Sequence, residues 1–251
     1  MKINNQLLSF RYRKSFLFNR FKFKKIESKF KIIKKGLHAF CPICFNKEVN
    51  LISEVDRDAY PCDTVVCTKC EFIFNDSYMA NPIEYYRKQF GKDRWKNPEK
   101  NFVKRTSLEA FSFKRFEFLK KTMGEHFPKI ESLLEIGCGD GCNLLPYHLI
   151  GKSVVGCDFN DNFLEPGRKR GMDLIEGDVQ CILETRKFDL IMLIHSFEHV
   201  IGLDEMVQQV NAHLNPGGFV FVEVPGIVNW NRTIKTKKSE MGLNSSNNFM
   251  G

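Results

Sequence analysis

No stretch of the 251 residues strings together the roughly 18 apolar positions that a membrane-spanning helix needs, so no part of the chain is expected to cross a bilayer. Acids are scarce at the start. Residues 1–36 hold twelve Lys or Arg against one acid, a net of +11, whereas the other 215 carry 26 against 29, a net of −3. The overall +8 therefore belongs to the N-terminal arm, and the global charge does not support a basic nucleic-acid face on the rest. The arm also lacks the continuous apolar segment and small-residue cleavage site of a secretory signal, which makes the cytoplasm the expected location. What is missing from the nine cysteines is the pattern of a disulfide framework: two close Cys-x-x-Cys pairs, with singles scattered through predicted core strands, suit a reducing compartment and a metal site. An apolar fraction of 43% is ordinary for a protein with a real core, and the length suits one α/β domain plus a small module.

Within the arm, residues 1–37, the side chains of Phe16, Phe23, Ile26, Phe30, Ile33 and Leu37 recur at helical spacing among lysines. This pattern predicts an amphipathic helix that packs on its own protein or a second copy, or else a poorly ordered extension, with an anionic membrane surface or RNA as the alternative partner. Cys41-Pro42-Ile43-Cys44 follows, and after 22 further residues Cys67-Thr68-Lys69-Cys70. Each pair forms a tight knuckle that aims two thiolates at one point, and together they predict a tetrahedral Zn²⁺ site in a small β-rich module, residues 38–76. Four thiolates leave the metal no open position, so its role is structural. The backbone after such a knuckle tends to be left-handed and is often Gly; here Phe45 and Glu71 stand there. His38 and Cys62 are read as bystanders. Residues 77–130 turn helical and aromatic: Asn81-Pro82 opens a helix bearing Tyr85, Tyr86 and Phe90, Gly91 and Pro98 mark breaks, and a longer helix is predicted over Thr106 to Met123.

The chain is organised around Leu133-Leu134-Glu135-Ile136-Gly137-Cys138-Gly139-Asp140-Gly141. An apolar run opening into Gly-x-Gly-x-Gly is what a parallel strand needs if its end must turn sharply and let a ligand lie against bare backbone. A helix is expected from about Cys142. Glu135 puts negative charge where a pyrophosphate would sit, which favours a cationic or zwitterionic ligand over a dinucleotide. Ser153 to Asp158 reads as a second strand ending in an acid placed to accept both hydroxyls of a ribose. Further strands are predicted near 173–176, 188–195 and 218–224, and their alternation with helical segments implies a parallel sheet. Pro166 is tolerable in the helix after Asp158 only if it falls in the first turn.

Four segments in order, Leu133 to Gly141, Val154 to Asn160, Phe188 to Val200 and Leu214 to Pro225, resemble the signatures of class I S-adenosylmethionine-dependent methyltransferases. The resemblance implies a Rossmann-like parallel sheet over 131–225, preceded by the zinc module. It implies that Glu135, Gly137, Gly139, Gly141, Asp158, Phe159, Asp178, Val179 and His195 bind S-adenosylmethionine. It also makes His195 and His199, with Glu198 between them, the candidates for proton transfer. Enzymes that join a paired-knuckle module to this core are similar to those acting on sugars or sugar nucleotides, so a small carbohydrate acceptor is the leading expectation. An rRNA base methyltransferase and a non-catalytic remnant binding zinc or cofactor remain the alternatives. The family fold has seven strands, whereas 226–251 reads as an irregular polar tail, so the chain is expected to be a truncated product or one completed by something else, with Phe219 to Val222 on an uncovered sheet edge.

Overall fold

The computed structural model describes residues 32–34, 40–55, 61–75, 77–79, 82–88 and 97–225. The chain divides into two units, one up to Pro82 together with the residues from Pro225 onward, the other Ile83–Val224.

In the first unit, β1 (Ile32–Lys34) pairs antiparallel with β5 (Ser77–Met79). Strands β2 (Val49–Val55), β3 (Pro61–Cys67) and β4 (Ile73–Asn75) form a second antiparallel sheet in the order β2-β3-β4. Its core is small, built from Cys41, Val65, Cys67 and Phe74. Ile33 therefore lies in a strand, not on the helical stripe read from the arm; β-branched Ile32 and Ile33 fit a pleated surface better than a helix. The other arm positions of that stripe, His38, Phe90, Gly91 and the tail 226–251 lie outside the described residues.

The second unit holds α1 (Pro82–Lys88, from Ile83 on), α2 (Pro98–Arg105), α3 (Phe111–Met123), β6 (Ser132–Ile136), α4 (Leu145–Leu149), β7 (Ser153–Asp158), α5 (Asp161–Arg168), β8 (Asp173–Glu176), β9 (Phe188–Ile194), α6 (Leu203–His213) and β10 (Leu214–Glu223). The five strands form one sheet in the order β10-β9-β6-β7-β8, every neighbouring pair parallel. All five predicted strands are present. The apolar runs of β6, β7 and β9 exist because both faces of those strands are buried, whereas β10 keeps exposed positions along its length. Leu133, Leu190 and Met192 enter one core with Phe102, Phe116, Leu119 and Tyr147, while Leu134, Ile191 and Leu193 enter the other with Val179 and Val210. Each fully buried Leu or Ile contributes about 1.5–3 kcal/mol by leaving water. Among the described residues nothing pairs with the outer edge of β10, where Phe219, Val220 and Val222 remain partly exposed. No helix among the described residues is long and apolar enough to cross a membrane.

Four helix expectations are corrected. The predicted helix from Thr106 begins at Phe111, because the Thr106 and Ser107 hydroxyls donate to the Phe102 and Lys104 carbonyls and close α2 instead. The helix expected from Cys142 begins at Leu145: Asp140 Oδ1 accepts from the Cys142 amide (3.1 Å), and that side-chain turn delays the helix. Pro166 stands in the last turn of α5, not the first, and the helix ends two residues later, so few backbone bonds are lost. Pro98 opens α2 rather than only interrupting, behind the Asn97 side chain, which accepts from the Lys100 amide (3.0 Å).

Candidate functional site

The end of β6 and the glycine turn make the floor of the site. The Gly137 and Cys138 amides donate to the Cys157 carbonyl (2.8 and 3.0 Å), which ties the turn to β7. Gly137 has φ +76°, and a Cβ there would meet Ser196 Cβ at 2.6 Å. Gly139 has φ +56°, but an added Cβ would find nothing nearer than Arg105 Nη1 at 4.0 Å. Gly137 is thus demanded by packing, whereas the open side of the turn is at Gly139.

Charged groups surround that turn. The Gly139 amide donates to Asp158 Oδ2 and the Asn160 amide to Asp158 Oδ1, both at 3.0 Å; burial raises the Asp158 carboxyl, and these amides partly offset it. Glu135 is fully buried: Oε1 accepts from Asn143 Nδ2 (2.7 Å), and Oε2 has no hydrogen-bond partner among the described residues. Burial pushes its carboxyl up to about 8, with Asn143 and the Arg105 charge opposing. Arg105 forms an ion pair with buried Asp140 (3.0 Å), the acid inside the glycine turn. Asp178 accepts from the Gln180 amide (3.0 Å) in the turn after β8, and Val179 beside it is buried.

A second group gathers where β9 and β10 end. His195 adopts φ +53°, uncommon for a residue with a Cβ. Its amide donates to the Glu223 carbonyl (2.8 Å), and its Nε2 lies 3.1 Å from Glu223 Oε1 and 3.3 Å from Arg115 Nη2. Arg115 grips Glu223 with two hydrogen bonds, Nε to Oε2 (2.7 Å) and Nη2 to Oε1 (2.5 Å), and its Nη1 donates to Asn143 Oδ1 (3.3 Å). The Arg115 bond, ahead of the opposing effect of burial, holds the Glu223 carboxyl below its usual range. Glu198, its side chain buried, has Oε1 3.8 Å from both His195 Nδ1 and His199 Nε2. Tyr86 on α1 packs edge-on against His199 and stacks near Phe159, with ring centroids 6.0 and 6.5 Å apart, and burial pushes its phenol well up. Tyr86 therefore stands beside these groups. Arg115, Asn143 and Glu223 were not singled out from sequence as site residues. The signal available was a lone acid, Glu223, ending the apolar run of β10.

In the first unit, the Sγ atoms of Cys41, Cys44, Cys67 and Cys70 all lie within 4.8 Å of one another, with Cys41–Cys70 at 3.6 Å and Cys44–Cys67 at 3.5 Å. Four sulfurs about 2.3 Å from one tetrahedral centre would lie about 3.8 Å apart, so the cluster fits Zn²⁺. The Ile43 and Lys69 amides each donate to the first sulfur of their own knuckle (3.4 Å), and Asn46 Nδ2 donates to Cys67 Sγ (3.7 Å). Burial raises the Cys67 thiol, but the Cys70 and Lys69 amides with Asn46 outweigh it and bring the thiol down to about 6. Phe45 (φ +58°) and Glu71 (φ +60°) take the left-handed conformation expected after each knuckle.

This sheet order, with a glycine turn after β6 and an acid at the end of β7, is that of a doubly wound α/β fold, in which the carboxyl ends of the strands are where ligands usually lie. A family model described as a methyltransferase domain matches residues 103–243, more than half of the chain, and the chain belongs to that family. Among curated relatives, the ubiquinone biosynthesis O-methyltransferase of Chelativorans sp. (strain BNC1) is 29% identical over 157 residues, covering 56% of this chain and 59% of that protein. The protein of the same name from Pelagibacter ubique (strain HTCC1062) is 27% identical over 159 residues, covering 57% and 62%. The chain thus spans about three-fifths of the length of the curated relatives it matches. Solved structures with similarity include CalS10, an amino pentose methyltransferase from Micromonospora echinaspora (22% identical, 46% of this chain and 52% of that one, TM-score 0.42). The plantazolicin methyltransferase BpumL is another (17% identical, 66% and 65%, TM-score 0.49).

Proposed function

We propose that the chain carries out S-adenosylmethionine-dependent methyl transfer to a small acceptor. The observation that carries this reading is the glycine turn: open backbone at Gly139, whose amide is bonded to Asp158, and in the strand before it a buried Glu135 oxygen without a hydrogen-bond partner among the described residues. Those residues fit the cofactor. The Glu135 carboxylate suits its ammonium group, Asp158 can accept from the ribose hydroxyls, and Asp178 and Val179 would flank the adenine. When bound, the cofactor supplies an electrophilic methyl on a sulfonium, and what remains for the protein is to position the acceptor and take up its proton. His195 is the better base of the two histidines, because its ring is half exposed whereas His199 packs on Tyr86. The four cysteines would hold one Zn²⁺ as a structural centre with no open coordination position.

For the acceptor, the pairing of the cysteine module with this core supports a sugar or nucleotide sugar. The names of the curated relatives favour a second reading, O-methylation of a phenol on the way to a quinone. Incubating the chain with methyl-labelled cofactor and panels of nucleotide sugars, phenols and RNA separates these. Label on a nucleotide sugar supports the first reading, label on a phenol the second, and label on RNA with salt-dependent binding would replace both. Gly139→Arg and Asp158→Ala should each abolish cofactor binding; retained affinity in both would refute the cofactor assignment.

A further inference from the structure

We propose that Glu223, clamped by Arg115, is a positioning residue that fixes the His195 ring as its Nε2–H tautomer and leaves Nδ1 as the proton acceptor. This rests on the methyl-transfer reading and adds to it the element that prepares the base. Three independent observations converge. His195 Nε2 is 3.1 Å from Glu223 Oε1, closer than it is to the Arg115 guanidinium at 3.3 Å. An ionised carboxylate is the stronger partner for a ring N–H, since a charge-assisted bond is roughly twice as strong as a neutral one. The carboxylate cannot turn away, because Arg115 holds both of its oxygens and is itself held by Asn143. Finally, the His195 backbone is kept left-handed while its amide is bonded to the Glu223 carbonyl, so one residue anchors both main chain and ring. Strain of this kind persists only where the surroundings impose it.

The arrangement has a direction. With Nε2–H given to Glu223, the Nδ1 lone pair is free of a hydrogen bond to Glu198, whose Oε1 lies 3.8 Å away. As the acceptor takes the methyl, its O–H or N–H bond breaks and the proton forms a new bond at Nδ1. The imidazolium then lies between two acids, Glu223 and Glu198, with the Arg115 guanidinium also against it, and passes the proton to water through its exposed edge. The Asn143 amide joins Arg115 to Glu135, so the base and the acid of the glycine turn share one continuous polar chain.

The test is ring nitrogen NMR on the full, ¹⁵N-labelled, zinc-loaded chain, with the His195 signals assigned by their loss in His195→Gln. At a pH where the shifts show a neutral ring, the expected result is protonated Nε2 and bare Nδ1. In Glu223→Ala the two nitrogens should move toward an averaged mixture while the backbone amide spectrum of the sheet stays in place. Bare Nε2 in the native chain overturns the proposal, as does an unchanged tautomer in a folded Glu223→Ala chain. Should that variant fail to fold, the native spectrum alone decides. Once an acceptor is known, Glu223→Ala should lower kcat by about 10- to 100-fold with KM for the cofactor unchanged. Absence of cofactor binding would sink the methyl-transfer reading and leave the tautomer result standing.

Discussion

Left-handed backbone occurs in both units, at Phe45 and Glu71 beside the cysteine knuckles and at Gly137, Gly139 and Gly141 beside the sheet. The difference lies in what surrounds the Cβ position. Phe45 and Glu71 are exposed, so a side chain there meets only the intrinsic penalty of the conformation, roughly 1 kcal/mol. The convergence of four cysteines on one point, as a bound Zn²⁺ would require, can impose that penalty. In the sheet unit the turn must also fit against Ser196 at Gly137, while at Gly139 the space beside the backbone stays open, and under the proposed function glycine there leaves it clear for the cofactor. Conformation alone does not demand glycine; conformation together with close approach does.

Cys67→Ser should produce the largest effect: zinc content falling from about one equivalent to well below it, and loss of hydrogen-exchange protection over residues 40–75 while 132–194 keeps its own. Unchanged metal content would retire the zinc assignment. Next, Gly137→Ala should cost about 2–4 kcal/mol in denaturant unfolding through the Ser196 clash plus the conformational penalty. Gly139→Ala should cost only about 1 kcal/mol of stability yet weaken cofactor binding at least about tenfold. Equal losses of stability in the two variants would contradict the distinction drawn between them.

A smaller effect is expected from Glu135→Gln. The folded chain holds the Glu135 proton up to about pH 8, whereas the unfolded chain releases it near 4.5. Its stabilising contribution is therefore complete below about pH 4.5 and is lost as pH rises through about 8. Glu135→Gln should flatten that slope in pH-dependent melting. An ammonium group beside Glu135 favours its ionised form, so cofactor binding near pH 7 should release a proton, read from calorimetry in buffers of different ionisation heat. Identical proton release in the variant would show that another group is responsible. The smallest effect belongs to Glu71→Gly, which should stabilise the chain by up to about 1 kcal/mol by removing the left-handed penalty.

How much could be read from sequence follows the distance over which each feature is encoded. The five core strands were legible because each is a local apolar run, and the left-handed positions at Phe45 and Glu71 followed from cysteine spacing alone. Helix starts were less legible, since side chains settle them: the Thr106 hydroxyl ends α2, and the Asp140 carboxylate postpones α4. The Arg115–Glu223–His195 group left almost no trace, because its bonds join residues 80 and 108 positions apart and no short pattern records that meeting.

The most direct measurement is isothermal titration of the folded, zinc-loaded chain with S-adenosylmethionine and S-adenosylhomocysteine. The glycine turn, Glu135 and Asp158 are all in place, so the account predicts one site with micromolar affinity for both ligands. No heat of binding from a chain whose amide spectrum shows the sheet intact would contradict it, and the glycine turn would then need another ligand.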